Sequence, residues 1–426
     1  MAQFNKNTHE YLANNKTLFE VVMLADQEGN AIEGGNPTGT AVDAFGRMRI
    51  STPLTLFDSY NRYDQNDKFS TEAVSGGSTS YNADQSTVNM TVDGSSGSKV
   101  TRESTRVFAY QPGKSLLIYN TFVMEPQSTG LRQRVGYFND ENGIFLELDD
   151  SGVKLTKRTN ISGSPVEISV DQSAWSNDTL LGTGPSGVTL DITKAQIFWM
   201  DIEWLGVGSV RCGFVIDGKV LHCHTFNHAN LIDSTYITTA ILPIRYEIEN
   251  TSAGSAATLK QICSSVISEG GYEFRGSGGY ASTGLTKKPV GSTLVPIISI
   301  RLNSSKLDAV AVLQGISATG DASGLYELQL IRGATLTNSS FSPSTLGSCV
   351  DVDTSATAIS GGNILGGNIA EITNQSSLDI NFGGDLFDLQ LERDGSTGQS
   401  EIYTIAARTT ASSAQMAACV NWQEVT

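Results

Sequence analysis

Asp201 and Glu203 stand two positions apart in "FWMDIEWLG" (198–206), with Trp199 and Trp204 beside them. The run is typical of a β-strand, in which successive side chains point to opposite faces, so both carboxylates are expected on one face. A pair of carboxyl groups on one face is the arrangement that glycoside hydrolases use as acid and nucleophile. Sugar cleavage is therefore the first hypothesis that the sequence raises.

A β-hairpin is predicted in "SVRCGFVIDGKVLHCHTF" (209–226). Asp217 and Gly218 lie between two apolar runs, and this dipeptide favours a two-residue turn because both turn positions need positive φ. Counting outward from the turn places Cys212 opposite Cys223 on the core face. The chain has five cysteines and no closely spaced pair, so we expect reduced thiols here rather than a disulfide.

Three of the four histidines fall in "HCHTFNH": His222, His224 and His228. An H-x-H pair on a strand followed by a third histidine is a pattern that zinc sites use. In the hairpin register both His222 and His224 face away from the core, and Arg211 lies directly across from His224. A cation beside the pair disfavours a divalent ion, and no carboxylate follows at a suitable spacing. The sequence therefore predicts surface or interface histidines and no metal site.

Composition and charge narrow the function classes. The chain has 43 Gly, 28 Lys plus Arg and 44 Asp plus Glu, for a formal net charge of −16. Such a surface repels phosphate backbones and anionic headgroups, so neither nucleic acid nor a membrane is an expected partner. The polar opening "MAQFNKNTHEYLANNK" lacks the apolar region of a signal peptide, so synthesis in the cytoplasm is expected. No nucleotide, serine-hydrolase or metalloprotease motif occurs, and no cofactor is predicted.

Short strand-like runs separated by turn clusters predict an all-β protein: an antiparallel jelly-roll or concanavalin-like sandwich followed by a smaller β-sandwich. The boundaries are an extended N-terminal arm over 1–58, the jelly roll over 59–275, a Gly/Ser-rich linker over 276–292 and a C-terminal β domain over 293–426. The arm has too few regularly spaced apolar positions for a core of its own. We expect it to anchor the chain by burying five side chains against a neighbour: Phe45, Met48, Ile50, Leu54 and Phe57.

"WMDIEWLG" resembles the catalytic strand of laminarinase-type β-glucanases, in which three alternating acids stand on one face. The resemblance matches Asp201 to the central acid and Glu203 to the general acid/base. Trp199 occupies the position of the nucleophile, and an indole cannot replace a carboxylate in forming a covalent intermediate. The sequence therefore predicts no glycoside chemistry. It leaves open sugar binding by Trp199 stacking beside the two acids.

Most of the chain resembles a family of virion structural proteins from tailed bacteriophages of marine and cyanobacterial hosts. The stretches that carry the resemblance are "AFGRMRISTPLTLFDS" (44–59), "RQRVGYFNDENGIFLELD" (132–149), "DIEWLGVGSVRCGFVIDGKVLHCHTFNHAN" (201–230), "LPIRYEIEN" (242–250) and "VNWQEV" (420–425). Membership of that family implies a particle component and brings no catalytic, cofactor-binding or metal-binding residues.

The function expected from sequence is a non-enzymatic structural protein on the virion exterior, as a short tail fibre, a baseplate-associated protein or a capsid decoration. Its expected partners are other virion proteins and further copies of itself, with a trimer suggested by analogy to phage appendages. The alternative is a carbohydrate-binding spike or lectin-like module that contacts a host surface glycan on a glycanase-like fold without the nucleophile. A secreted host lectin is a third hypothesis, which the polar N-terminus disfavours.

Overall fold

The computed structural model describes residues 52–273, 276–372, 378–381 and 389–425. Within these ranges every strand pairing is antiparallel, and Gln172–Ala174 forms a 3₁₀ turn. The predicted all-β antiparallel class is confirmed. No helix in the described part of the chain is long and apolar enough to cross a membrane.

The first sandwich is built from fifteen strands in chain order. They are β1 (Leu54–Tyr60), β2 (Phe69–Val74), β3 (Ser78–Asn82), β4 (Thr87–Val92), β5 (Lys99–Ser104), β6 (Leu116–Val123), β7 (Leu131–Phe138), β8 (Gly143–Asp149), β9 (Gly152–Thr159), β10 (Val166–Asp171), β11 (Gln196–Ile202), β12 (Val210–Ile216), β13 (Lys219–Phe226), β14 (Ile244–Asn250) and β15 (Ala257–Ser268).

These strands form two sheets. The eight-stranded sheet has the order β13-β12-β11-β6-β15-β4-β3 with β1 also paired to β15, and the seven-stranded sheet has the order β10-β9-β8-β7-β14-β5-β2. The chain crosses from one sheet to the other between β4 and β5, β5 and β6, and β6 and β7, as in a jelly roll. The topology places β11, which carries Asp201, in the middle of a sheet rather than at an edge.

Alternation along β11 decides which side chains enter the core. Phe198, Met200 and Ile202 are buried between the sheets, where each contributes about 1.5–3 kcal/mol through removal from water. Trp199 and Asp201 occupy the alternate positions and therefore lie on the outer face of the eight-stranded sheet. This matches the face assignment expected from the sequence.

The second sandwich follows with its own core, centred on residues such as Leu313, Leu328 and Trp422. Its strands are β16 (Ser277–Ser282), β17 (Lys288–Val290), β18 (Val295–Leu302), β19 (Val310–Gly320), β20 (Gly324–Arg332), β21 (Thr335–Thr337), β22 (Ser342–Pro343), β23 (Val350–Asp353), β24 (Ala358–Ser360), β25 (Asn363–Ile372), β26 (Leu378–Asn381), β27 (Gln390–Leu391), β28 (Ile402–Thr409) and β29 (Ala414–Val425). Two six-stranded sheets, β16-β29-β19-β26 with β17 and β27 attached and β22-β23-β18-β28-β20-β25, enclose the core, and β21 pairs with β24.

Two expected boundaries differ from the structure. The segment 276–292 was expected to be a linker, but β16 and β17 lie within it and pair with β29. Gly and Ser there reduce side-chain bulk without preventing the backbone from pairing. The arm was expected to reach residue 58, but β1 pairs with β15, and Phe57 is buried in the core of the first sandwich. The other expected arm contacts, Phe45, Met48 and Ile50, lie outside the described residues.

The two sandwiches contact each other through the segment that follows β27. Arg106 donates from Nε to Glu392 Oε1 at 2.9 Å, and the amide of Gly395 donates to the carbonyl of Thr105 at 3.0 Å. A Cβ at Gly395 would lie 2.2 Å from the carbonyl oxygen of Ser104, so this close approach requires glycine. The two sandwiches are thus joined here by an ion pair and a backbone hydrogen bond.

Candidate functional site

Asp201 is buried in the eight-stranded sheet of the first sandwich. It lies opposite Arg211 on β12, and the two side chains form an ion pair. The Asp201 residue is 0 % exposed, so water and substrate have no route to its carboxylate. This ion pair joins the adjacent strands β11 and β12.

Glu203 is also 0 % exposed, and it lies just beyond the end of β11. Its Oε1 accepts a hydrogen bond from the hydroxyl of Tyr110 at 3.4 Å. Burial, followed by the charge of Glu203, raises the pKa of Tyr110 to about 12, so the hydroxyl stays protonated and donates. Asp201 and Glu203 are thus both buried and share no open surface.

Trp199, at the position expected to stack on a sugar, is 6 % exposed. Its indole packs over Gly213, where a Cβ would meet the ring at 2.9 Å, and lies beside His222 with the ring centroids 6.0 Å apart. Trp204 turns toward the core edge and donates from Nε1 to the carbonyl of Ile237 at 3.3 Å. The buried Trp199 indole presents no open face to a ligand, so the stacking site expected there is closed.

The β12–β13 hairpin follows the expected register only as far as Gly213, which pairs with His222. A β-bulge then inserts Cys223, so Cys212 pairs with His224. The expected pairing of Cys212 with Cys223 is wrong for this reason. Both thiols are free and buried, and burial raises the pKa of the Cys212 thiol well above its usual value.

The same bulge separates the histidines. Arg211 pairs with Thr225 rather than with His224, and the two histidines no longer share a face. His222 bonds to the hydroxyl of Thr225 at 2.8 Å, whereas His224 accepts from the amide of Ser176 at 3.2 Å. Burial, reinforced by the charge of Arg211, lowers the pKa of His222 to about 4.

His228 occupies a third environment. It bonds through Nδ1 to the carbonyl of Gly208 at 2.6 Å and stacks on Tyr236 with the ring centroids 4.0 Å apart. Burial lowers its pKa to about 4, so the ring is neutral at physiological pH. The three histidines thus have separate roles, and among the described residues no group of three or more His, Cys, Asp or Glu is placed to hold a metal ion.

The outer face of the seven-stranded sheet carries a charge network that the sequence did not reveal. Arg134 contacts Glu147 at 2.9 Å, Glu167 at 3.1 Å and Glu247 at 3.4 Å. Burial by itself would raise the pKa of Glu247, but Arg245, Lys99 and Arg134 together hold it at about 2. The alternation in "RQRVGYF" and "RYEIEN" was a partial signal. The ion pairs of this network link four strands of the sheet, β7, β8, β10 and β14, through the Arg134 side chain.

A cavity of about 790 Å³ lies in the second sandwich. It opens between the loop after β18, the loop before β23 and the first residues of β16. Its lining is mostly hydroxyl-bearing and charged: Ser277, Gly278, Ser304, Ser305, Lys306, Leu307, Asp308, Ala309, Thr345, Leu346, Gly347, Ser348, Arg393, Gly398 and Glu424. Sequence reasoning missed it, and the signal that pointed to it was only the clustering of Ser and Gly in the two loops.

Comparisons with family models and with curated protein sequences give no match. Solved structures that are similar include the carbohydrate recognition domain of Emp47p, at 13 % identity and TM-score 0.32, covering 50 % of this chain and 94 % of that one. The receptor binding domain of botulinum neurotoxin D has 10 % identity and TM-score 0.31, covering 51 % and 50 %. A Bauhinia forficata lectin in complex with GalNAc has 11 % identity and TM-score 0.30, covering 51 % and 98 %. Similarity at these TM-scores carries no functional argument.

Proposed function

We propose that this chain is a non-enzymatic structural protein on the exterior of a tailed bacteriophage particle. The observation that carries the proposal is the closure of the glycanase-like strand: Asp201 and Glu203 are both fully buried, one against Arg211 and one against Tyr110. Acids in this position stabilise a sandwich wall. They cannot reach a glycosidic oxygen without unfolding the sheet around them.

The particle assignment is supported by the resemblance of five stretches to virion structural proteins. It is also supported by the net charge of −16, which opposes packing against DNA. Two antiparallel sandwiches joined by an ion pair and close backbone contact suit a projecting part that must keep its shape. The short tail fibre, the baseplate-associated protein and the capsid decoration are the three placements that this proposal covers.

Attachment through the N-terminal segment is part of the proposal, but the segment is shorter than the 1–58 expected from the sequence. Leu54 and Phe57 belong to β1, so a truncation at residue 58 would remove a strand of the first sandwich. The segment available for anchoring is 1–51. A truncation of these residues leaves all described strands intact and is the correct variant for testing attachment.

The location test uses purified particles of the phage that encodes the chain. We expect the protein in the particles and an antibody against its second sandwich to label intact particles. The variant lacking 1–51 should stay folded, as judged by an unchanged urea midpoint, and should fail to join particles. Absence from particles, or labelling only after disruption, contradicts the exterior placement. Normal incorporation of the truncated chain contradicts the anchoring role.

The absence of catalysis has its own test. We expect no release of reducing sugar from β-glucans or host exopolysaccharide above the level of a heat-denatured sample. Glu203→Gln serves as the matched variant, because it preserves the shape of the side chain. Sugar release by the native chain that Glu203→Gln abolishes would show that the buried carboxyl does act, and the structural assignment would be incomplete.

A further inference from the structure

The cavity of the second sandwich is held open by bonds between its own walls. Lys306 donates from Nζ to the carbonyls of Gly347 and of Ser348, the latter at 3.3 Å, which ties the two loops together. Glu424 on β29 accepts from the amide of Cys349 at 2.9 Å and from Trp422 Nε1 at 3.0 Å. These contacts fix the loop before β23 against the sheet. The cavity is therefore preformed, which lowers the entropic cost of binding.

The charges that line the cavity cancel. Lys306 and Arg393 supply two positive charges, and Asp308 and Glu424 supply two negative ones. Arg393 lies 3.2 Å from Asp308 and also donates to the carbonyl of Ile241 in the first sandwich. A balanced lining gives no net attraction for a phosphate, a carboxylate or a metal cation. The expected ligand is consequently neutral.

The lining offers many hydrogen-bonding groups of both kinds. Five hydroxyl groups line it, those of Ser277, Ser304, Ser305, Thr345 and Ser348. Ser305 donates to Oδ1 of Asn303 at 2.6 Å and Ser348 to Oε1 of Glu424, so these two offer a ligand acceptor capacity only. The Asp308 side chain is 53 % exposed and keeps carboxylate surface open to the cavity. A neutral molecule that matches such a lining must itself carry several hydroxyl groups.

Leu346 supplies an apolar surface beside these polar groups. It lines the cavity and is fully exposed, although an exposed leucine gains nothing for folding. The C–H face of a sugar ring packs against an apolar side chain while its hydroxyls bond elsewhere. The volume of about 790 Å³ also suits a ligand of one to three sugar units, because ligand pockets span about 300–1,000 Å³.

We propose that this cavity is a binding site for a neutral saccharide. The inference goes beyond the structural role, since it assigns a recognition site to the second sandwich and does not depend on where the protein sits in a particle. It also places sugar recognition away from Trp199, at residues that no sequence motif marks.

Saturation-transfer NMR on the full chain tests the ligand class. The probes are the methyl glycosides of glucose, galactose, mannose and N-acetylglucosamine, and the oligosaccharides released from the host surface, with sialic acid and glucose 6-phosphate as charged comparators. We expect transfer to at least one neutral probe and none to the charged pair. Transfer only to the charged sugars, or no transfer to any probe at millimolar concentration, overturns the proposal.

Gly278→Trp locates the site. A Cβ at Gly278 meets nothing within 4 Å, so the indole can enter the cavity without displacing backbone. The matched control is Gly291→Trp, which has equal space in the same sandwich but lies outside the cavity. We expect at least tenfold weaker binding for Gly278→Trp and unchanged binding for the control. Equal binding by both variants overturns the site.

A second pair of variants keeps the test valid if the tryptophan variants misfold. Leu346→Ala should weaken binding by about threefold to tenfold, since one buried methylene group is worth about 0.8 kcal/mol. The control, Leu285→Ala, removes an equally exposed leucine outside the cavity and should leave binding unchanged. If Leu346→Ala binds like the native chain, the apolar platform is wrong. Gly278→Trp should still join particles, so loss of binding and loss of assembly are separable results.

Discussion

Two acid–arginine pairs, one in each sandwich, differ in the exposure of the acid. Asp201 and Arg211 lie on adjacent strands, and the carboxylate is completely buried. Asp308 and Arg393 meet between two loop segments, and the Asp308 side chain is 53 % exposed. The strand register packs neighbouring side chains over the Asp201 carboxylate. The loops that carry Asp308 and Arg393 leave a cavity beside the Asp308 carboxylate. The chemistry of the residues is the same, and the element that carries them decides whether a ligand can reach them.

The difference also separates stability from function. Removing one partner of a buried ion pair leaves a charge that water cannot solvate, and this is costly. Removing one partner of an exposed pair costs little, because water solvates the remaining charge. The first sandwich should therefore respond to charge substitutions with loss of stability, and the cavity of the second should respond with loss of binding.

The largest effect is expected for Arg211→Ala. It leaves Asp201 buried without its guanidinium, so the free energy of unfolding should fall by about 3–5 kcal/mol. Urea unfolding followed by tryptophan fluorescence measures the change. The control is Arg408→Ala, which breaks the exposed pair with Glu327 and should cost at most about 1 kcal/mol. Equal losses for the two variants would remove the distinction between sealed and open pairs.

The buried carboxyl of Glu103 provides a second test, through the pH dependence of stability. Burial raises the pKa of Glu103 to about 8, against the opposing charge of Arg245 and with further help from Asp140. The folded state therefore binds this proton more tightly than the unfolded state. Its contribution to stability is complete below about pH 4.5 and is lost as the pH rises toward 8.

Glu103→Gln should abolish that loss. Between pH 5 and pH 8 the native chain should lose at least about 1.4 kcal/mol relative to the variant, the value of a tenfold change in proton affinity. Paired urea titrations at the two pH values measure it. The exposed carboxyl of Glu72 on β2 provides the control, since Glu72→Gln should leave the pH dependence of the native chain unchanged. A native-like slope in Glu103→Gln would mean that burial does not hold this proton.

The turn of the β12–β13 hairpin was predictable because it depends on local backbone chemistry. Asp217 and Gly218 have φ of 51° and 74°, as the dipeptide indicated. The register beyond Gly213 was not predictable, because the bulge at Cys223 depends on packing that alternation does not encode. The face of Asp201 followed from alternation, whereas its burial depends on Arg211 and on the surrounding sheet.

Contacts between residues far apart in the sequence could not be predicted from local patterns. Arg134 and Glu247 meet across 113 positions of sequence, so no local pattern could pair them. The segment 276–292 has the composition of a linker, but its strands are decided by their partner β29. The cavity is formed by three loop segments and two strands that are distant in sequence. Sites of this kind have no sequence motif, because the fold brings their residues together and no fixed spacing along the chain connects them.

A smaller effect on stability is expected for Asp308→Asn. The substitution keeps an acceptor near the buried Arg393, which also retains its bond to the carbonyl of Ile241, so the free energy of unfolding should fall by about 0.5–1.5 kcal/mol. Saccharide binding should nonetheless weaken, because the exposed carboxylate is the strongest acceptor in the cavity. Urea unfolding and NMR titration on the same sample measure both. A loss of stability as large as that of Arg211→Ala would show that the second pair is also structural.

The smallest effect on stability is expected for Leu346→Ala. Leu346 is fully exposed, so its removal should change the free energy of unfolding by less than about 0.5 kcal/mol. Leu313→Ala, in the core of the same sandwich, should cost about 2–5 kcal/mol and serves as the reference. A leucine that can be removed without loss of stability, but not without loss of saccharide binding, is held at the surface by recognition. If Leu346→Ala instead destabilises the chain, the leucine is covered in solution. The cavity would then be closed, as the surroundings of Asp201 are.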